Sequence, residues 1–290
     1  ETIDRPPEPA DVSTPPSLEL DYEAFERQEL LGRGGTAEVY LATVETDDGP
    51  VDVAVKEPNF DGTMTKETFE RFRTEVDVWQ QIDDRTGVVD VVGWGEQPLP
   101  WIAMEYMDGG TLAERIGEVG IDEALWICGR IAHTVRHDRT GVQHLDLKPS
   151  NVLFRETPES KWDLPKVADW GLARMIAETS ASSDGFTVTY AAPEQFNPDD
   201  YGTTDSRTDI YQLGALTYEL LAGEPPFTGP NHAVMHGVLN EQPEPVSSRD
   251  PALPSALDEV VGRALRKEKS DRYETVERFH AALREVRQRE

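Results

Sequence analysis

The chain has 290 residues, with 56 acidic against 28 basic side chains, a net charge of −28 and a single cysteine, Cys128. The acid excess argues against a nucleic-acid or anionic-membrane binder, since both need a basic face, and one cysteine excludes an internal disulfide framework and an all-cysteine metal site. With 37% apolar residues the chain can bury a sizeable core in one two-lobed unit or two domains, and no apolar run approaches the roughly 18 residues that span a bilayer, the longest candidate, near 210–222, being interrupted by Glu219.

Residues 1–20 carry Pro6, Pro7, Pro9, Pro15 and Pro16 in an aperiodic acidic stretch, which reads as a tail or linker. The chain opens on Glu rather than Met, which reads as a piece of a longer protein. Residues 25–57 have strand texture: Leu30-Leu31, Val39-Tyr40-Leu41, Val51 and Val53-Ala54-Val55 are short runs parted by Gly-rich or Asp-Gly turns. Residues 65–82 switch to helical spacing, with Phe72, Val76 and Trp79 one turn apart and Glu75 on the same face. Strand-like runs follow at 88–92 and 101–105, then an acidic-Gly hinge near 105–110. Beyond Asp108-Gly109-Gly110 the texture is mostly helical. Ile121, Leu125, Cys128, Ala132 and Val135 form one helix face, 210–222 is apolar nearly all round and should be a buried helix, and Val276, Phe279, Leu283 and Val286 mark a last amphipathic helix.

Four segments carry chemistry. In Leu31-Gly32-Arg33-Gly34-Gly35-Thr36-Ala37-Glu38-Val39, glycines between two strands let backbone N–H groups approach phosphates. Strand texture after them excludes a dinucleotide fingerprint, and the missing Gly-Lys-Ser/Thr excludes a Walker loop. In Val53-Ala54-Val55-Lys56 a lysine ends an apolar strand. A flexible lysine that bridges phosphates needs an opposite charge to fix it. Glu75 has the right face, with Glu67 and Glu70 as competitors. His144-Leu145-Asp146-Leu147-Lys148-Pro149-Ser150-Asn151 places an acid, a cation and an amide within six residues, in a segment where proline breaks helix. That set suits a hydroxyl proton, a phosphate oxygen and a metal respectively. Val167-Ala168-Asp169-Trp170-Gly171 ends a strand on an acid. Each alone could be an ordinary turn or strand end. Their order is what carries information.

With these residues in that order the chain resembles the eukaryotic-like (Hanks-type) serine/threonine protein kinase catalytic domain over about residues 25–288. The resemblance implies an α+β bilobal fold: a small antiparallel N-lobe with one main helix at about 25–107, and a larger helical C-lobe at about 108–288. It implies transfer of the ATP γ-phosphoryl group to Ser/Thr hydroxyls of proteins, the chain itself included, with Mg²⁺. Leu31, Gly32, Gly34 and Gly35 resemble the phosphate cover. Lys56 matches the lysine on the α- and β-phosphates, and Glu75 its partner. Asp146 matches the catalytic acid, Lys148 the γ-phosphate cation, and Asn151 and Asp169 the metal ligands. Val39, Ala54 and Leu153 match the adenine sandwich, Met104 the residue behind it, and Glu105, Tyr106 and Met107 the hinge. Ala192-Pro193-Glu194 matches the end of the activation segment, with Glu194 pairing to Arg272. Asp209 matches the anchor of the catalytic loop, and Thr187 the threonine that shapes the substrate site.

The pattern departs in places. Leu145 stands where the family has an arginine that reads a loop phosphate, which implies activity independent of phosphorylation there. The hydroxyl-rich Thr179-Ser180-Ala181-Ser182-Ser183 remains available for autophosphorylation. Ala37 replaces a glycine, and Trp170 a phenylalanine, with Trp79 expected near it. Residues between Phe154 and Pro165 read as a long hairpin. Two rivals stand beside an active kinase: a pseudokinase scaffold, and a small-molecule phosphotransferase of related fold. The acidic composition also resembles that of proteins from organisms with molar salt in the cytoplasm, the compartment expected for this domain.

Overall fold

A computed structural model describes residues 20–34, 37–59, 66–82, 87–136, 141–158, 161–170 and 188–289. The proline-rich stretch before residue 20 lies outside them.

The first layer is a five-stranded antiparallel sheet: β1 (Glu26–Arg33), β2 (Ala37–Thr46), β3 (Gly49–Pro58), β4 (Val91–Gly95) and β5 (Trp101–Glu105), in the order β1-β2-β3-β5-β4. Asp47-Asp48 closes the β2–β3 hairpin, and Gly49 at φ 113° supplies the backbone twist that side chains resist there. Alternation along the strands sorts the two faces. Ala42, Val44, Val53, Val55, Val92, Trp101 and Ala103 pack together on the outer face, covered by Leu20, Tyr22 and Phe25. Ala54, Ile102 and Met104 face inward to the main core. Lys56 is two residues on from Ala54, so it emerges on that inner face. Across the inner face lies α1 (Lys66–Gln80), whose Phe72, Val76 and Trp79 are buried as its spacing predicts.

The run at 88–92 divides where a single strand is expected. Val88 bridges Val167 in parallel, and pairing with β5 begins only at Val91. The Val88 and Val89 side chains are fully buried, and the backbone at Val89 bonds Val167 in the other lobe, so these residues belong to the junction and not to the sheet.

The second layer is helical: α2 (Ile121–Thr134), α3 (Ser206–Ala222), α4 (Asn231–Asn240), α5 (Ala256–Ala264) and α6 (Val276–Arg289). Helix α3 is buried from Thr208 to Leu221, packed by α2, α5 and α6. Its start is capped by the Asp205 carboxylate accepting from Arg207 N–H at 2.8 Å, and its end by Gly223 in the left-handed region at φ 78°. A two-stranded hairpin, β6 (Val152–Arg155) with β7 (Leu164–Val167), forms where the sequence predicts one. No helix among the described residues is long and apolar enough to cross a membrane.

Candidate active site

The segment from His144 to Lys148 has no regular secondary structure, yet it is largely buried. Buried backbone groups need partners, and here side chains provide them. Asp209, at the start of α3, accepts the N–H of His144 at 3.0 Å and of Leu145 at 2.7 Å through its two oxygens. Asp146 N–H donates to His144 Nδ1 at 3.2 Å, and the other ring nitrogen, Nε2, lies 2.9 Å from the Ala168 carbonyl, which makes it the donor. The Asp146 carbonyl accepts from Asn151 Nδ2 at 2.9 Å. Leu145 is held at φ 59° and Asp169 at φ 61°, uncommon for residues with side chains and characteristic of over-determined functional backbone. The result is a fixed carboxylate at Asp146, with Lys148 Nζ 2.8 Å from its Oδ2.

Across the cleft Lys56, only 4% exposed, donates to Asp169 Oδ1 at 2.7 Å. β3 carries the lysine and the turn after β7 carries the aspartate, so one ion pair spans both lobes. Burial pushes the Asp169 carboxyl up, but Lys56, with Lys148 and His144 behind it, outweighs this and holds it below the usual carboxylate range. Asn151 spends its amide nitrogen on Asp146, which leaves Oδ1 as its remaining ligand atom. Among the described residues no three His, Cys, Asp or Glu side chains cluster as a metal cage. One carboxylate and one amide beside bound phosphates fit Mg²⁺, which takes few protein ligands.

Most of the other expected site residues fall on the strands and the connection around the Lys56–Asp169 pair. Leu31 and Gly32 lie on the exposed β1, and Gly34 N–H donates to the Ala37 carbonyl at 2.8 Å, closing the turn. Register pairs Val39 with Lys56, and Ala54 with Met104. Met107 is buried, and Leu153 on β6 bridges Thr111. Glu105 has a different use for its side chain. Its carboxylate accepts from Asp90 N–H at 2.9 Å, from Lys166 Nζ, and from Arg155 at 2.8 Å, and its N–H donates to the Asp90 carbonyl at 3.0 Å. Lys166 also donates to Asp90 Oδ2 at 2.6 Å. Gly35, Gly171, Thr187 and the 179–183 hydroxyls lie outside the described residues. Glu75 sits on α1, and its side chain is likewise outside them. Trp170 meets the His144 ring edge-on at 5.0 Å and donates to the Val167 carbonyl at 3.0 Å.

Sequence reading overlooked Gln195 and Gln212, which hold the catalytic loop, and the Asp90–Lys166 pair behind the hinge. Gln212 had a usable signal: a polar side chain on a helix apolar nearly all round must have a partner.

Two lobes bridged by a lysine–aspartate pair over an Asp-Lys-Asn loop define a protein kinase catalytic domain. The protein kinase domain model matches residues 25–283, and the chain belongs to that family. Its relatives include serine/threonine-protein kinase PknB of Mycobacterium leprae (strain TN), 34% identical over 288 residues that cover 94% of this chain and 44% of the relative. PknB of Mycolicibacterium smegmatis is 35% identical over 292 residues, with the same coverage. PknJ of Mycobacterium bovis is 32% identical over 272 residues, covering 90% of this chain and 45% of the relative. The chain thus spans less than half the length of these relatives.

Proposed function

We propose that the chain is an active, ATP-dependent serine/threonine protein kinase working on protein hydroxyls, its own among them, in the cytoplasm where ATP is available. The observation that carries this reading is the Lys56–Asp169 bridge at 2.7 Å, set over Asp146, Lys148 and Asn151. A scaffold that only binds has no need of all five in register.

The chemistry follows from these positions. The Asp146 carboxylate, fixed through both neighbours, orients the acceptor hydroxyl and takes its proton. The hydroxyl oxygen forms the new bond to the γ-phosphorus as the bond to the β–γ bridging oxygen breaks, and ADP leaves with that electron pair. Lys148 neutralises the transferring group, and Lys56 holds the phosphates behind it. Mg²⁺, held by Asp169 and Asn151, supplies further charge neutralisation when bound. Positioning and electrostatics account for the acceleration. In a chain of net charge −28 these local cations work against the global field. Leu145, uncharged where an arginine would read a loop phosphate, supports activity that needs no such phosphate.

The test is transfer of labelled γ-phosphate from Mg-ATP in molar KCl, to the chain and to a basic acceptor protein, beside Asp146→Asn. The expected result is transfer that disappears in the variant and survives phosphatase pretreatment of the wild type. A folded, ATP-binding wild type without transfer at any salt is a pseudokinase. Acceptance of free sugars or aminoglycosides with no protein acceptor moves the reading to a small-molecule phosphotransferase.

A further inference from the structure

Two glutamines outside the residues that carry the family resemblance grip the main chain on either side of Asp146. Gln212 is 2% exposed and lies one turn after Asp209 on α3. Its Nε2 donates to the Leu145 carbonyl at 2.8 Å, and its Oε1 accepts from Leu147 N–H at 3.0 Å. A single amide therefore brackets the catalytic aspartate. The Leu145 carbonyl accepts a second bond, at 2.9 Å, from Gln195 Nε2. Gln195 belongs to the short helix Pro193–Phe196, and its Oε1 accepts from Ala192 N–H at 2.9 Å and from Gln212 Nε2 at 3.0 Å. The two amides and the Leu145 carbonyl form one closed network. It joins the end of the activation segment to the strained residue before Asp146.

We propose that Gln212 and Gln195 are positioning residues for phosphoryl transfer: Gln212 fixes the height and tilt of Asp146, and Gln195 makes that fixation depend on the seating of residues 192–195. The inference rests on the kinase reading above. Its physical basis is that Leu145 in the left-handed region needs outside bonds to stay there. The Leu145 side chain is apolar and buried, so it makes no polar link to the segment. The seated segment is thus reported to the catalytic loop through an amide on a backbone carbonyl, without a charged group.

The experiment compares wild type, Gln195→Met, Gln195→Glu and Gln212→Met. Methionine keeps the length and loses the hydrogen bonds. Glutamate keeps the acceptor for Ala192 and loses the donor to Leu145. Gln195 is only half-buried, so its variants keep the test open if Gln212→Met does not fold. In each folded variant the expected result is a kcat at least about tenfold lower with KM for ATP within about twofold, the pattern of a displaced catalytic group. Hydrogen exchange across 141–151 should accelerate about tenfold while 206–222 keeps its protection. Wild-type kcat in either Gln195 variant overturns the proposal, as does loop exchange that stays at the wild-type rate. The exchange measurement needs no turnover. An inactive wild type therefore defeats the kinase reading separately, and loop exchange alone then decides the positioning claim.

Discussion

Arg272 is completely withdrawn from solvent, and all five of its donors are used. Nη1 and Nη2 pair with Glu194 at 2.8 and 2.7 Å, and the carbonyls of Arg266, Arg207 and Lys267 take the rest at 2.8, 2.8 and 2.9 Å. Thr208 adds a bond to the same carboxylate at 2.8 Å. Removing one partner strands a buried charge, which costs about 3–5 kcal/mol, whereas replacing both with apolar groups restores most of it. Arg272→Met alone should lower denaturant stability by that amount, and Arg272→Met with Glu194→Met should recover over half of it. At the hinge, burial pushes the Asp90 carboxyl up to about 6, with Glu105 adding to it against the pull of Lys166. A raised carboxyl binds its proton more tightly in the folded state. Its stabilising contribution is complete below about pH 4 and is lost as pH rises through 6. Wild type should therefore lose on the order of 2–3 kcal/mol relative to Asp90→Asn between pH 4 and 7, measured by urea unfolding of both proteins at each pH. These residues were unequally legible. Glu194 and Arg272 stand in recognisable motifs, so their pairing was expected across a separation of 78 residues. Asp90 and Lys166 stand in no motif, and only the fold reveals that they meet.

At the scale of elements, period and punctuation located most of what formed. Helix α3 was expected to be buried, and the contact it makes through Gly214 shows how tightly. A Cβ there would come within 2.7 Å of the Ala264 Cβ on α5. Valine at 214 would bring two further methyl groups. Overpacking of this kind costs typically 1–3 kcal/mol, more than any helix-propensity gain over glycine. Gly214→Val should thus lower the thermal midpoint by roughly 2–5 °C, read by circular dichroism. Because α3 also carries Asp209 and Gln212, the same variant should loosen the catalytic loop. That loop was the least legible element. Its shape comes from side chains on α3 and on the 193–196 turn, so no periodicity within 144–151 could reveal it. The run at 88–92 misled for a related reason. Its apolar texture suits a strand, but Val88 and Val89 spend it on the lobe junction.

The whole molecule carries a net charge of −28 around a site that must hold polyphosphate. At about 0.1 M salt the surface acids repel one another over about 10 Å, and at about 1 M salt over about 3 Å. The unfolding midpoint should rise by several degrees between 0.1 and 1 M KCl, followed calorimetrically; a midpoint that stays level or falls would sink the saline reading of the composition. Among the described residues two main-chain attachments join the lobes, beside the ion pairs Lys56–Asp169, Glu105–Lys166 and Glu105–Arg155. One is covalent, the chain through 105–110, where Gly109 N–H donates to the Phe154 carbonyl at 2.8 Å. The other is non-covalent, where Val167 N–H donates to the Gly87 carbonyl at 2.7 Å and Val89 N–H to the Val167 carbonyl at 3.0 Å. Of the rigid motions open to the upper lobe, rotation about the line through these two main-chain attachments disturbs their bonds least. The upper lobe should therefore nod like a lid on a pair of pins, and shear or twist would have to break one pin first. Lys56 and Asp169 belong to opposite lobes, so such a turn changes the separation of the pair.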